Sequence, residues 1–192
     1  MLAYLFWHWR YASVEETVYE RRIIEFQEAL RRQRPGGFEY SVVLKVERAP
    51  WGGRDGEVYE EWYVVENSAA LDGLNEAAVS GVCREPHNRV AKDAAGGAGG
   101  LYRLRVGEVG LVTARMALWF AKPAGMSYEA LYRMLEAEVE RVGGSGSVWQ
   151  RQMVLGPAPE FCWRGSKDGD YGLIEGFGGL KVEVRRVWGE GR

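Results

Sequence analysis

The chain has 192 residues, 46% of them apolar and 27% charged, with a formal net charge of −2. That composition supports a packed core and offers no basic surface for nucleic acid. No apolar run reaches the ~18–20 residues of a membrane span, and the opening MLAYLFWHWR lacks the basic start of a signal peptide.

Cys83 and Cys162 stand apart with no Cys-x-x-Cys spacing, so buried free thiols in a reducing cytoplasm are expected. Arg outnumbers Lys twenty to five, and Asn and Gln are scarce. Thermophily and a GC-rich genome both explain that bias.

The first segment, residues 2–10, reads as an aromatic strand. Ser13-Val-Glu-Glu16 then fits a capping box. Tyr19, Ile23, Phe26 and Leu30 recur at helical spacing, and Arg31, Arg32 and Arg34 load the last turn before Pro35-Gly36-Gly37 stops it. Residues 38–46 and 57–65 alternate as strands, joined by turn chemistry from Pro50 to Gly56. Asn67 or Ser68 caps a further helix carrying Leu71, Leu74, Ala78 and Val82 on one side. A connector rich in Gly and Ala from Glu85 to Gly100 and a strand from Leu101 to Val106 follow. The order is β-α-β-β-α-β, the ferredoxin-like arrangement.

The second half repeats the scheme more weakly. A strand at 115–122 leads to a helix at 127–142 capped by Ser127, with Leu131, Leu135, Val139 and Val142 in its stripe. Strands at 148–155 and 160–164, a Gly-rich stretch with room for a short helix, and a strand at 180–188 complete it. Sliding the first copy forward by 114 positions puts Ala3 on Ala117, Phe6 on Phe120 and Ser13 on Ser127. Two repeats are therefore expected, at residues 1–108 and 113–190, packed as one globular unit. The predicted class is α+β, with two ferredoxin-like repeats forming a barrel-like sandwich.

Tandem ferredoxin-like units with aromatic first strands resemble the dimeric α/β-barrel superfamily, which includes chlorite-dismutase-like haem proteins, cofactor-free monooxygenases and isomerases. The resemblance rests on element order over nearly the whole chain. It implies either a haem site or a cofactor-free pocket. Duplicated haem members draw a proximal histidine from the second half, whereas the two histidines here, His8 and His87, both lie in the first. Haem is therefore disfavoured and no cofactor is predicted.

Period 2 divides the first strand into a face with Ala3, Leu5, Trp7 and Trp9 and a face with Tyr4, Phe6, His8 and Arg10. The second face carries the ionisable groups and is assigned to the space between the sheets. His8 is the candidate general acid/base. Tyr4, Arg10, Trp62, Arg103, Gln150 and Gln152 are candidate ligand-binding residues. His87, at Cys-x₃-His spacing from Cys83, reads as a loop histidine, because two further metal ligands are lacking. Gly96–Gly100 precedes a strand instead of opening a helix and reads as a connector, not a phosphate loop. The leading reading is a cytoplasmic homo-oligomer that binds a small molecule between its sheets, as a cofactor-free oxygenase or isomerase. The alternatives are a non-catalytic assembly protein pairing through an exposed strand edge and, ranked lower, a haem redox protein.

Overall fold

A computed structural model of the chain describes residues 1–52, 56–108, 110–144, 146–153, 158–166, 169 and 171–189. Strand β1 (Leu2–Arg10) leads to helix α1 (Glu16–Gln33), then β2 (Phe38–Val46) and β3 (Val58–Val65). Helix α2 (Ala70–Ala78), a single 3-10 turn (Gly81–Cys83), α3 (Arg84–Asp93) and β4 (Ala94–Gly107) complete the first half. The second comprises β5 (Met116–Phe120), α4 (Tyr128–Arg141), β6 (Ser147–Gln152), β7 (Phe161–Gly165), α5 (Gly172–Glu175) and β8 (Leu180–Trp188). The strand predicted over 148–155 is observed to Gln152; residues 154 and 155 lie outside the described residues. Among the described residues no helix is long and apolar enough to cross a membrane.

The eight strands close into one barrel in the order β1-β3-β2-β8-β5-β7-β6-β4, every pair antiparallel. Each half supplies four neighbours in the ferredoxin-like order: β4-β1-β3-β2 from the first, β8-β5-β7-β6 from the second. The seams are β2 with β8 and β4 with β6. Closure gives every strand a neighbour on both sides over at least part of its length.

An eight-stranded barrel is just wide enough for side chains to fill. Here Ala3, Leu5 and Trp7 of β1 meet Trp62, Tyr102, Trp119 and Trp149 inside it. At the centre Arg164 donates to Glu60, both fully buried, and Trp7 Nε1 (3.2 Å) and Trp62 Nε1 (3.4 Å) also donate to that carboxylate. The Arg164 guanidinium lies 5.1 Å from the Trp62 ring and 5.5 Å from the Trp119 ring. Cys162 shares this interior, and burial pushes its thiol up to about 12.

The face assignment is thus reversed. The face with Ala3, Leu5 and Trp7 looks into the barrel, and the face with Tyr4, Phe6 and His8 looks outward, under helices. Ionisable residues on β1 alone do not decide the matter, because the interior obtains its charges from β3 and β7. The α1 stripe of Tyr19, Ile23, Phe26 and Leu30 buries as its spacing predicts, each such side chain contributing about 1.5–3 kcal/mol.

The Ser13 capping box does not form: α1 starts later, with Glu15 in the cap position and no side-chain cap. Ser127 does cap α4, its Oγ accepting from Ala130 N at 3.1 Å. The helices begin at Glu16 and Tyr128, an offset of 112 against 114 for the strand starts, and the first β-α connection (residues 11–15) is two residues shorter than the second (residues 121–127).

Residues 84–107 also depart from expectation. The predicted connector is helix α3 followed by the start of β4, and His87 lies on that helix. Gly97 and Gly99 stand opposite His8 and Phe6 in the β1–β4 ladder. A Cβ at Gly97 would lie 2.6 Å from the Phe6 ring, and one at Gly99 2.6 Å from the Tyr4 hydroxyl. The glycines are there so that neighbouring aromatic rings can lie across the strand.

Candidate functional site

Between the outer face of β1, β3 and β4 and the helices α1, α2 and α3 lies a cavity of about 780 Å³. That size is ordinary for a small-molecule site. Phe6, Phe26, Leu74, Val90 and Leu101 make its walls largely apolar, and Ala94, Ala95 and Gly96 form a low shelf where bulky side chains would fill it. Leu71, Asp72 and Asn75 of α2, with Val79 just past its end, stand on one side, and His87 of α3 on another, its ring 5.6 Å from that of Phe26.

The polar groups converge on Glu61. Strand pairing sets Phe6 opposite Glu61, Tyr4 opposite Tyr63 and His8 opposite Tyr59. His8 Nε2 is 3.1 Å from Glu61 Oε1, within reach for charge attraction. Neither atom has a hydrogen bond of good geometry, although both are buried. On the other side of the ring, His8 Nδ1 meets the Tyr19 hydroxyl at 2.6 Å. Phe6 and Tyr59 stack on its two sides at 5.3 and 5.6 Å, which fixes the imidazole plane.

Glu61 is also the end of a donor chain. Ser41 Oγ donates to Gln27 Oε1 (2.7 Å), Gln27 Nε2 donates to the Tyr63 hydroxyl (3.1 Å), and that hydroxyl donates to Glu61 Oε2. Every donor points toward the carboxylate, so Oε2 accepts the Tyr63 hydroxyl while Oε1 faces His8 Nε2. Burial first, then the charge of Glu61, raises the Tyr63, Tyr19 and Tyr4 hydroxyls above their ordinary range. They stay protonated, as donors.

Of the residues the sequence nominates, His8 and Tyr4 border this cavity. Arg10 does not: its guanidinium pairs with Glu57 at 3.0 Å and with Val14 O at 2.7 Å, at the strand end. Trp62 is a wall of the barrel interior, because its parity on β3 is opposite to that of Glu61 and Tyr63. Arg103 is exposed on the outside of β4. Gln150 is held on the second half's outer face by Arg105 Nε (2.6 Å), Tyr132 (2.8 Å) and Glu160 (2.7 Å). Gln152 turns back onto the carbonyls of Gln150 and Arg151. None of these five reaches the cavity. Conversely, Glu61, Tyr63, Tyr19 and Gln27 escape the sequence reading. A signal existed in β3, where Glu60 and Glu61 are adjacent, so that one acid must be buried whichever face looks inward.

A haem fits poorly. The second half has no histidine, and its outer face is packed by Leu118, Phe120, Phe161 and Trp163 against Leu131 and Leu135. In the first half both ring nitrogens of His8 already face polar neighbours. Among the described residues no three His, Cys, Asp or Glu side chains gather as a metal site would need.

No family model matches the sequence, and no curated protein does. Solved structures do. A candidate monooxygenase from Fusobacterium nucleatum aligns over 97% of this chain and 92% of its own at 8% identity, with a TM-score of 0.68. A second candidate monooxygenase, from Lactobacillus acidophilus, aligns over 97% and 94% at 10% identity, TM-score 0.59. An anthrone oxidase-like protein aligns over 97% and 93% at 11% identity, TM-score 0.56. The chain shares the fold of these proteins, and in it both halves of the closed barrel lie in a single polypeptide.

Proposed function

We propose that the protein binds a small, mainly apolar molecule in the cavity beneath α2 and α3 and performs cofactor-free proton-transfer chemistry on it, of the kind used by oxygenases and isomerases. The observation that carries this reading is the buried Glu61 carboxylate, which faces His8 at 3.1 Å and belongs to the lining of a cavity that is otherwise largely apolar. Such a carboxylate is a general base in waiting. Taking a proton from a carbon next to a carbonyl leaves a carbanion, which can be reprotonated elsewhere or react with dioxygen. His8, held between Phe6 and Tyr59, positions Glu61 and can share the proton it gains. Tyr4, whose hydroxyl stays protonated at the cavity, supplies a donor for the developing negative charge. The fold shared with candidate monooxygenases supports the oxygenase branch as an analogy of fold.

The test is a metabolite screen by thermal stabilisation, followed by turnover with and without oxygen. A ligand present at a hundred times its Kd stabilises by about 2.7 kcal/mol. Glu61→Gln should retain the fold and reduce turnover by roughly 10²-fold or more. Full activity in that variant would remove the proposed base.

A further inference from the structure

The His8 ring has a polar neighbour at each nitrogen. Nε2 lies 3.1 Å from Glu61 Oε1, and Nδ1 lies 2.6 Å from the Tyr19 hydroxyl of α1. All three residues are buried. A carboxylate at that distance favours a proton on Nε2, because lone pairs set against each other in a dry site repel. With its proton on Nε2, a neutral imidazole leaves Nδ1 bare, as an acceptor for the Tyr19 O–H. Among the described residues that hydroxyl has no other hydrogen-bond partner. The reverse tautomer would leave the Tyr19 proton unmet and turn the Nε2 lone pair on Glu61. Burial first, then the charge of Glu61, keeps the Tyr19 hydroxyl protonated, so it has a proton to give.

Tyr19 stands behind His8, outside the cavity lining, and packs with Ile23, Val43 and Tyr59. Its ring meets those of His8 (5.6 Å) and Tyr59 (5.3 Å) edge-on, which holds the hydroxyl in direction as well as distance. Resting on the reading of Glu61 as the base, we infer that Tyr19 is a positioning residue: it donates to Nδ1, fixes the ring proton on Nε2 and aims that proton at Glu61 Oε1. Which nitrogen of a histidine carries the proton is set by the bond the other one makes. A proton shared between ring and carboxylate then lies on the Nε2–Oε1 line, and Tyr19 closes the far nitrogen to it. Two donor lines thus end on Glu61, one through His8 and one through Tyr63. Helix α1 supplies a member of each from its buried face, Tyr19 and Gln27.

Nuclear magnetic resonance of protein carrying isotope-labelled histidine nitrogens reads the tautomer directly and needs no ligand; His87→Gln tells the two rings apart. At about pH 8, His8 should show a single tautomer, protonated on Nε2, with Nδ1 shifted as a hydrogen-bond acceptor. Tyr19→Phe should move the Nδ1 signal to that of a bare nitrogen. Glu61→Gln, whose amide can either give or take a hydrogen bond, should keep the Nε2 tautomer because Tyr19 still holds it. Combining the two substitutions should release a mixture of both tautomers. In turnover, Tyr19→Phe should lower kcat about tenfold at unchanged KM, since Tyr19 touches no ligand. A wild-type proton on Nδ1, an Nδ1 signal unmoved by Tyr19→Phe, a tautomer that switches in Glu61→Gln alone, or an unchanged kcat would overturn the inference. The wild-type spectrum decides even where a variant fails to fold. Those outcomes leave Glu61 as the base, whereas full turnover in Glu61→Gln removes the base and leaves the Tyr19 bond standing.

Discussion

The two halves of the barrel share a strand order and a register, yet they spend the same surface differently. In the first half β1 and β3 set Phe6 beside Glu61 and Tyr4 beside Tyr63. In the second, β5 and β7 set Phe120 beside Phe161 and Leu118 beside Trp163. Lys122, at the position matching His8, leaves the sheet to donate to Met126 O at 2.6 Å. The covering helices follow suit: with the offset of 112 between α1 and α4, Tyr19 corresponds to Leu131 and Gln27 to Val139. The second half thereby closes most of this face into a dry cluster, with the Gln150 network at its side, whereas the first keeps a polar chain running to a cavity. One half is packed as a core and the other holds the candidate site. The trade is physical, because a polar network running to a cavity cannot also be the best-packed part of a core.

The sharpest way to break this comparison is to write the first half's acid into the second. Phe161→Glu places a carboxylate at the position matching Glu61, but among Leu131, Leu135 and Trp163 and beside a Gln150 amide already committed to Glu160. A buried charge lacking its partner costs about 3–5 kcal/mol, and urea denaturation should show a loss of that size at pH 7. The folded pKa of the new acid is raised, so the variant recovers at low pH and loses stability as pH climbs past the ordinary carboxylate range. A mild effect, independent of pH, would mean that the second half is not the dry cluster described.

A matched pair of truncations comes next. Leu135→Ala removes a fully buried side chain from that cluster, and such deletions cost about 2.7–5 kcal/mol. Leu74→Ala removes the same atoms from a side chain bordering the existing cavity, where fewer contacts are lost, and should cost about 1–2 kcal/mol. Equal losses would show that the cavity wall is as tightly packed as the core.

Most of the fold was legible for a simple reason: strands and helices declare themselves by period. Residues 38–46 and 180–188 are strands with the bounds their alternation suggests, and α1 buries the stripe its spacing marks. What period cannot say is which face of a strand meets a helix and which meets another strand. That choice reversed the assignment of β1, placed Trp62 in the barrel, and made Gln150 part of a surface network. Nor does alternation survive where side chains are absent. The run Gly96–Gly100 has no pattern to read, since its role is to make way for Tyr4 and Phe6. Glu61 was missed because its importance depends on Tyr63, Gln27 and Ser41, which meet only when α1 lies over β2 and β3.

The last prediction sharpens the comparison from the first half's side. Tyr63→Phe removes the hydroxyl that donates to Glu61, and the loss of a hydrogen bond to a charged acceptor costs about 1.5–3 kcal/mol near neutral pH. The effect should shrink at alkaline pH. Burial and the charge of Glu61 raise the Tyr63 hydroxyl well above its ordinary value of 10.0. A raised folded pKa means that the stabilising difference is complete below the unfolded value and is lost as pH rises toward the folded one. Above about pH 10 the unfolded wild-type chain gains an ionised phenolate that the native state refuses, at about 1.4 kcal/mol per pH unit. Tyr63→Phe has no such phenol, so the stability gap between the two proteins should narrow as pH climbs past 10. Urea midpoints measured between pH 8 and about 11 give that gap directly. A constant gap would mean that the Tyr63 hydroxyl is free to ionise in the folded protein, and the donor chain ending on Glu61 would have to be abandoned.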